Sequence, residues 1–197
     1  MKLILASASP RRSELLKMMG LPFEVRISNA DESFPDLIPA SEVAALLAGR
    51  KADAVSVHNS SEIVISADTV VECEGRILNK PQNKSEAIEM LSLLSGKMHL
   101  VHSGFCLLSE GVRFSGTDTT KVWFRELEAD EIQHYIRNYP VLDKAGSYGI
   151  QDWIGLVAVS KIEGSFFTVM GLPTHRIWDG LRYFRFPFST GITENTV

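Results

Sequence analysis

The first stretch of the chain that could do chemistry is Ser7-Ala8-Ser9-Pro10-Arg11-Arg12, which follows a short apolar run. Ser9 and Pro10 are typical of the N-cap and first position of a helix. Free backbone N–H groups at such a junction attract anions, and the guanidinium groups of Arg11 and Arg12 add bidentate donors for phosphate. An ordinary capped helix with exposed arginines explains the same pattern, so this stretch alone favours neither interpretation.

Two acidic positions are candidates for binding a metal or activating a water molecule. Asp68 lies at the predicted end of a buried strand, in Ser66-Ala67-Asp68-Thr69, and Glu32 lies in a predicted loop. Carboxylates suit both roles, and Mg²⁺ or Mn²⁺ prefers oxygen ligands that it shares with substrate phosphates. Taken singly, each acid is more often a turn-forming or solvated residue. A site therefore requires the fold to bring Glu32 and Asp68 together.

Three isolated lysines, Lys51, Lys80 and Lys144, form a further group of candidate site residues. A single lysine is usually a solvated surface residue, and this is the default interpretation for each of them. Lys80 stands out because Pro81 restricts the backbone of the preceding residue to an extended shape, which fixes its direction.

The segment Gly146–Gln151 is a short glycine-containing loop that allows a tight turn or close approach by a ligand. The amide of Gln151 offers both a donor and an acceptor, which suits the edge of a pyrimidine base. The five histidines form no His-x-x-x-His pair, and the chain has no Gly-x-Ser-x-Gly elbow and no Walker loop. These absences disfavour serine hydrolases and P-loop enzymes.

Hydrophobic periodicity and turn residues predict the elements that must position these side chains. Helices and strands alternate early and hairpins follow, which predicts an α/β domain with a mixed sheet of α+β character. The predicted strands are Leu3–Ala6, Pro22–Ile27, Glu62–Ser66, two between Met98 and Phe124, Ile154–Ile162 and Ser165–Val169, with hairpin turns at Glu74-Gly75 and Glu110-Gly111. The predicted helices are capped by Ser9, Ser41 and Asn83 or lie at Glu128–Tyr139 and Thr174–Phe184.

Composition is that of an ordinary globular protein, with 45% hydrophobic and 22% charged residues in a chain of 197. This length predicts one domain over residues 1–184, followed by a tail over 185–197 that lacks periodicity and is expected to be disordered. The net charge is −4 and the basic residues are scattered, which argues against a nucleic-acid partner.

The sequence also indicates a cytoplasmic protein with no membrane association. No apolar stretch approaches the ~20 residues that a membrane helix needs, and the opening apolar run is too short for a signal peptide. Cys73 and Cys106 lie in apolar alternating stretches and are expected to be buried free thiols, although a single disulfide between them stays open.

Together and in this order, these segments resemble the Maf family of nucleoside triphosphate pyrophosphatases. Any one segment is weak evidence, whereas the ordered set is highly specific and spans about residues 2 to 184. The matching segments are Leu3-Ile4-Leu5-Ala6-Ser7-Ala8-Ser9-Pro10-Arg11-Arg12, Glu32, Lys51, Ser66-Ala67-Asp68-Thr69, Lys80-Pro81, Leu94-Ser95-Gly96, Asp143-Lys144-Ala145-Gly146-Ser147-Tyr148-Gly149-Ile150-Gln151 and Gly171-Leu172-Pro173.

The resemblance implies a two-lobed single domain with a central cleft, like the inosine-triphosphatase fold, and a homodimer. It also implies cleavage between the α and β phosphates with a divalent metal, Mg²⁺ or Mn²⁺, giving a nucleoside monophosphate and pyrophosphate. By position, Asp68 is the implied proton acceptor, and Glu32 and Asp68 are the implied metal ligands. The implied substrate- and phosphate-binding residues are Ser7, Arg11, Arg12, Lys51 and Lys80.

Arg12, Thr69 and Gln151 resemble the positions that determine base specificity in this family. The branch with this set acts on dTTP and UTP, whereas a sister branch, with Trp for the Arg and Gln for the Thr, prefers 7-methyl-GTP. Asp152-Trp153 departs from the Gly that commonly follows Gln151 and changes the surroundings of that residue. Two alternatives stay open: the same chemistry on a modified nucleotide such as 7-methyl-GTP, and a nucleotide-binding regulator of septum formation and cell division.

Overall fold

A seven-stranded mixed sheet runs through the part of the protein that the structure describes. The computed structural model describes residues 1–35, 38–55 and 61–188. The strands are β1 (Lys2–Leu5), β2 (Phe23–Val25), β3 (Glu62–Cys73), β4 (Arg76–Leu78), β5 (Met98–Ser109), β6 (Val112–Phe124) and β7 (Val159–Glu163). Their order is β2-β1-β3-β5-β6-β7, with β4 beside the second half of β3. β1 runs parallel to β2 and β3, and the other pairs are antiparallel.

Helices cover both faces of this sheet, which confirms the predicted mixed α/β class. The helices are α1 (Pro10–Met18), α2 (Ala40–Asp53), α3 (Lys84–Leu94), α4 (Ala129–Asn138), α5 (Trp153–Val157), α6 (Phe166–Met170) and α7 (Thr174–Tyr183), with a 3-10 turn at Ala145–Ser147. On one face, Ala48 and Ala52 of α2 pack with Ile4 of β1 and Val64 of β3. A larger apolar cluster on the other face includes residues of α1, α3, α4 and α7. Among the described residues, no helix is long and apolar enough to cross a membrane.

Local turn and cap signals are confirmed where their chemistry is strong. The Glu-Gly pairs at the two predicted hairpins form turns with positive φ at both residues: 51° and 75° at Glu74-Gly75, and 48° and 78° at Glu110-Gly111. Such turns match the twist of the strands they join and favour glycine. The side chain of Asn83 caps α3 by accepting the N–H of Glu86 at 3.0 Å. The predicted cap Ser41 is instead the second residue of α2, which begins after Pro39.

β3 is longer than the sequence predicts. The prediction ends this strand at Ser66 and leaves Asp68 beyond it, but the strand continues through Asp68 to Cys73. Its two partners explain the difference: β1 pairs only with Glu62–Ile65, whereas β5 pairs with β3 from Val64 to Glu72. Asp68 therefore lies inside a strand, opposite Gly104 of β5.

The predicted strand Ile154–Ile162 is wrong in its first half. Its apolar composition resembles a strand, but residues 154–158 have no sheet partner among the described residues, because β6 ends at Phe124, which pairs with Val159. The backbone closes its hydrogen bonds locally instead, and the N–H of Ala158 donates to the carbonyl of Ile154 at 2.8 Å. The resulting turn is α5, which buries Ile154 and leaves Leu156 80% exposed.

The predicted strand Ser165–Val169 is also wrong, because this segment forms α6. Gly164, with φ of 133°, turns the chain off the sheet edge after β7. The N–H of Ser165 then donates to Oγ1 of Thr120 at 2.9 Å, so the chain crosses the sheet instead of extending it. A backbone that leaves the sheet must satisfy its own N–H and C=O groups, and a helix does so locally.

Two further predictions concern the cysteines and the tail. Cys73 and Cys106 are free and buried, which confirms the expected thiols. Within the predicted tail, Phe186 is buried in the main apolar cluster, and the ring of Phe188 contacts Trp178 at 4.1 Å between centroids. The rest of that tail, 189–197, lies outside the described residues.

Gly104→Ala is expected to destabilise the protein by about 3 kcal/mol, the upper part of the range for overpacked cores. A Cβ at this position would lie 2.0 Å from the carbonyl oxygen of Ala44 in α2, so helix and sheet must separate. Urea unfolding measures the change in free energy. The matched control is Gly116→Ala on β6, whose Cβ would lie 3.3 Å from Cζ of the Phe105 ring. Equal destabilisation by the two variants would contradict the close approach of α2.

Candidate active site

A gap in the sheet creates a cavity lined by charged and polar side chains. β1 ends at Leu5, so residues of β3 after Ile65 have no neighbouring strand on that side, within the part of the chain that the structure describes, until β4 pairs at Val71. The cavity at this gap has a volume of about 340 Å³. Among the residues that line it are the predicted site residues Arg11, Arg12, Glu32, Lys51, Asp68, Thr69, Lys80 and Gln151. The predicted cleft is thus present, and it gathers side chains from segments far apart in the sequence.

Lys51 joins the two acids at the centre of this cavity. Its ammonium group donates to Oδ1 of Asp68 and lies 2.8 Å from Oε1 of Glu32. Lys51 reaches Asp68 because α2 packs closely on β3 and β5, where Gly104 has no side chain to hold the helix away. The hydrogen bond from Lys51 lowers the pKa of Glu32. The carboxylates of Asp68 and Glu32 therefore belong to one charged cluster, although the sequence leaves open whether either is a site residue.

The start of α1 forms a second cluster around Arg12. The guanidinium group donates to the carbonyl of Gly171 at 2.9 Å, to Oγ of Ser7 at 3.0 Å and to Oγ1 of Thr69 at 3.5 Å. Ser7 also accepts the N–H of Ser9 at 3.2 Å. Burial lowers the pKa of Arg12 from its usual value. Arg12 is therefore a rigid cation whose direction is set by three acceptors.

Arg11 points to the opposite wall of the cavity. Its Nη1 lies 3.1 Å from Oδ2 of Asp143, whose other oxygen is 2.8 Å from Nζ of Lys144. Burial raises the pKa of the Asp143 carboxyl, but the hydrogen bond from Lys144 and the charge of Arg11 together leave it below its usual value. Arg11 thus links the start of α1 to the loop that follows α4.

Lys80 and Gln151 line the cavity without being held in place. Neither side chain makes a hydrogen bond or ion pair within residues 1–35, 38–55 and 61–188. Lys80 contributes charge at a distance, since it helps to lower the pKa of Glu32 after the larger effects of Lys51. A free ammonium and a free amide at the wall of a cavity are available to a ligand.

Asp152-Trp153, which follows Gln151 where the resembled family commonly has Gly, anchors the loop that carries Gln151. Oδ2 of Asp152 accepts the hydroxyl of buried Tyr135 at 2.7 Å, and the N–H of Gly149 donates to the same Tyr135 oxygen at 3.1 Å. The Lys144 ammonium lies 3.7 Å from Asp152. Trp153 packs against the ring of His134 on α4, 4.9 Å between centroids. The contacts of Asp152 and Trp153 therefore hold the loop in place.

Ser103 is a site-associated residue that the sequence does not single out. It lies on β5 opposite Thr69, and the two hydroxyl oxygens are 2.9 Å apart. The sequence does contain one signal for Ser103. It is a polar residue at the strand position between Val101 and Phe105, and both of these residues face the apolar core. A serine in such a strand is common, so the pattern has meaning only once its neighbour is known.

The carboxylates fit a divalent metal in their donor chemistry. Glu32 and Asp68 both contact the single ammonium of Lys51, so their oxygens converge on one point. Mg²⁺ and Mn²⁺ take one or two protein carboxylates and complete their coordination with substrate phosphates and water. Among the described residues no group of three or more His, Cys, Asp or Glu is placed to hold a metal. The arrangement suits a metal shared with a ligand.

Comparison with known proteins agrees with this site. A family model described as Maf-like protein matches residues 2–184. The chain is 45% identical to the dTTP/UTP pyrophosphatase of Phocaeicola vulgatus over 183 residues, covering 92% of this chain and 95% of the relative. It is 45% identical to the dTTP/UTP pyrophosphatase of Bacillus anthracis, with 93% and 95% coverage, and 44% identical to that of Bacteroides fragilis, with 92% and 95% coverage. The match spans every element that lines the cavity, and the chain belongs to the Maf family.

Proposed function

We propose that this protein is a nucleoside triphosphate pyrophosphatase that hydrolyses dTTP and UTP to the nucleoside monophosphate and pyrophosphate. The observation that carries the proposal is the cluster in which Lys51 holds Asp68 and Glu32 at one point of a cation-lined cavity. The relatives at 44–45% identity that bear the name dTTP/UTP pyrophosphatase support the same substrates. Arg12, Thr69 and Gln151 line one cavity with these acids, which supports their role in reading the base.

In this proposal Asp68 accepts a proton from the attacking water. Lys51 holds Oδ1 of the carboxylate, while Oδ2 makes no hydrogen bond to a described residue and is left for the water. The water oxygen bonds to the α phosphorus, the bond from that phosphorus to the bridging oxygen breaks, and pyrophosphate leaves. One water proton passes to Asp68 and then to solvent. A positioned base of this kind contributes about 10²- to 10⁴-fold to the rate.

The cations of the cavity offset the charge of the polyphosphate. Lys80 is free to reach the phosphates, and Arg11 and Lys51 stand on either side of the cavity with their own carboxylate partners. Such groups act most strongly where charge builds on the leaving pyrophosphate. A divalent ion, held by Glu32 and Asp68 together with the substrate, would supply further positive charge and polarise the phosphoryl oxygens. The homodimer and the cytoplasmic location stay predictions.

The substrate assignment is tested with a panel of UTP, dTTP, CTP and 7-methyl-GTP, each with Mg²⁺ or Mn²⁺, by measuring released pyrophosphate. We expect release from UTP and dTTP at least about tenfold faster, in kcat/KM, than from the other two nucleotides. Chelation of the metal is expected to stop the reaction. Tight binding of UTP without any pyrophosphate would indicate the regulator instead, and faster turnover of 7-methyl-GTP would indicate the modified-nucleotide branch.

A further inference from the structure

A short chain of hydroxyl groups runs beneath the cavity wall from Thr69 into the protein. Oγ1 of Thr69 lies 2.9 Å from Oγ of Ser103, and Oγ of Ser103 lies 2.8 Å from the backbone carbonyl oxygen of Thr168. Ser103 and Thr168 are fully buried, with 0% exposure. These hydrogen bonds are therefore shielded from water, which would otherwise compete for the hydroxyl protons.

The chemistry of this chain fixes the direction of each hydrogen bond. A backbone carbonyl can only accept, so the hydroxyl of Ser103 must donate its single proton to Thr168. In the contact with Thr69, the oxygen of Ser103 is therefore the acceptor and the hydroxyl of Thr69 is the donor. Neither serine nor threonine has a second proton to give.

Arg12 reinforces the same direction from the other side. A guanidinium group can only donate, and Nη2 of Arg12 lies 3.5 Å from Oγ1 of Thr69. The orientation of Arg12 is set by its shorter bonds to Gly171 and Ser7, at 2.9 and 3.0 Å. With its proton committed to Ser103, the Thr69 hydroxyl presents a lone pair to the cavity and no proton.

We propose that Ser103 is a positioning residue for base selection, because it holds the Thr69 hydroxyl as an acceptor that requires an N–H donor on the bound base. This inference rests on the proposed function and specifies that the site recognises the N3 position of the pyrimidine base. Uracil and thymine carry a proton at N3, whereas N3 of cytosine carries a lone pair. A cytosine in the same pose would place two lone pairs against each other, which costs free energy inside a partly buried site.

Gln151 alone does not provide this selection. Its amide is free of hydrogen bonds to the described residues and is exposed. Rotation of the amide by half a turn exchanges its donor and acceptor, so a free glutamine can pair with either pyrimidine. Thr69 has no such freedom because its proton is locked by a buried partner.

The test compares Ser103→Ala with Ser109→Ala. Ser109 is on the same strand, is buried, and donates to the carbonyl of Glu62 at 2.7 Å, so both substitutions remove a hydroxyl-to-backbone hydrogen bond. Binding of the α,β-methylene analogues of UTP and CTP is measured by calorimetry, and kcat/KM is measured for UTP and CTP. Ser103→Ala frees the Thr69 proton. We therefore expect the preference for UTP over CTP to fall roughly fivefold to tenfold, both in the ratio of the two binding affinities and in the ratio of the two kcat/KM values.

The controls separate selection from general damage. Ser109→Ala is expected to lose similar stability but keep the wild-type ratio, and Ser103→Thr is expected to keep the ratio because it keeps the hydroxyl. An unchanged ratio in Ser103→Ala, or equal losses for UTP and CTP, would overturn the inference. So would a wild-type protein that binds the two analogues equally. Selective binding without turnover would leave this inference standing and refute the proposed hydrolysis.

Discussion

Asp68→Asn is expected to lower kcat for UTP by about 10²- to 10⁴-fold, the contribution of a positioned general base. The amide has nearly the same shape as the carboxylate, but it cannot take the proton of the attacking water and is a poor metal ligand. Lys51 retains Glu32 as a counter-charge, so the ammonium is not left unpaired. The free energy of unfolding is expected to change by only about 1 kcal/mol, the scale of a single hydrogen bond.

Steady-state release of pyrophosphate and urea unfolding measure the two effects. The matched control is Asp179→Asn on α7, an exposed acid that does not line the cavity and whose nearest ion-pair distance, to Arg176, is 3.9 Å. Exposed pairs of this kind contribute little to stability, so wild-type turnover is expected there. An Asp68→Asn variant with near-normal, metal-dependent turnover would exclude Asp68 as the proton acceptor.

Lys51→Met is expected to give the second largest loss, about 10²-fold in kcat, which is typical for removal of one group that stabilises developing charge. The same variant is expected to bind Mn²⁺ more tightly in the absence of nucleotide. Lys51 contacts both Glu32 and Asp68, and its removal leaves two carboxylates without their shared cation. Those oxygens then become available to a metal, and the local charge is more negative by one unit.

Methionine keeps the apolar stem that packs in α2, so the variant isolates the charge. Glu32 has a side chain that is 57% exposed and can turn to water, which limits the cost of removing its partner. Turnover is measured with UTP, and Mn²⁺ affinity is measured by calorimetry on the nucleotide-free protein. Lys161→Met, at an exposed lysine on β7 outside the cavity, is the control. Weaker Mn²⁺ binding together with normal turnover would remove Lys51 from the site.

Elements with strong local signals follow from the sequence. The two Glu-Gly turns need positive φ, and the capping of α3 by Asn83 needs only a contact three residues away. Such signals are contained within a few neighbouring residues, so no knowledge of the rest of the chain is required. Local residue types give the wrong prediction at α5 and α6. There an apolar run resembles a strand but has no partner among the described strands of the sheet.

The boundaries of the sheet depend on its partners. β3 extends through Asp68 because β5 pairs with it there, and the cavity opens because β1 has already ended. Neither fact is visible in the residues around Asp68. The position of the acid, in mid-strand at an open edge, is therefore a property of three segments together.

The ordered segments of the sequence were enough to show the resemblance to the family and to nominate Asp68, Glu32 and Lys51 as candidates. Only the tertiary structure showed that one ammonium joins the two acids, and that Ser103 commits the proton of Thr69. The reason is physical: charge and hydrogen-bonding capacity belong to each side chain, whereas partners 17 or 34 residues apart in sequence meet only through helix packing and strand register.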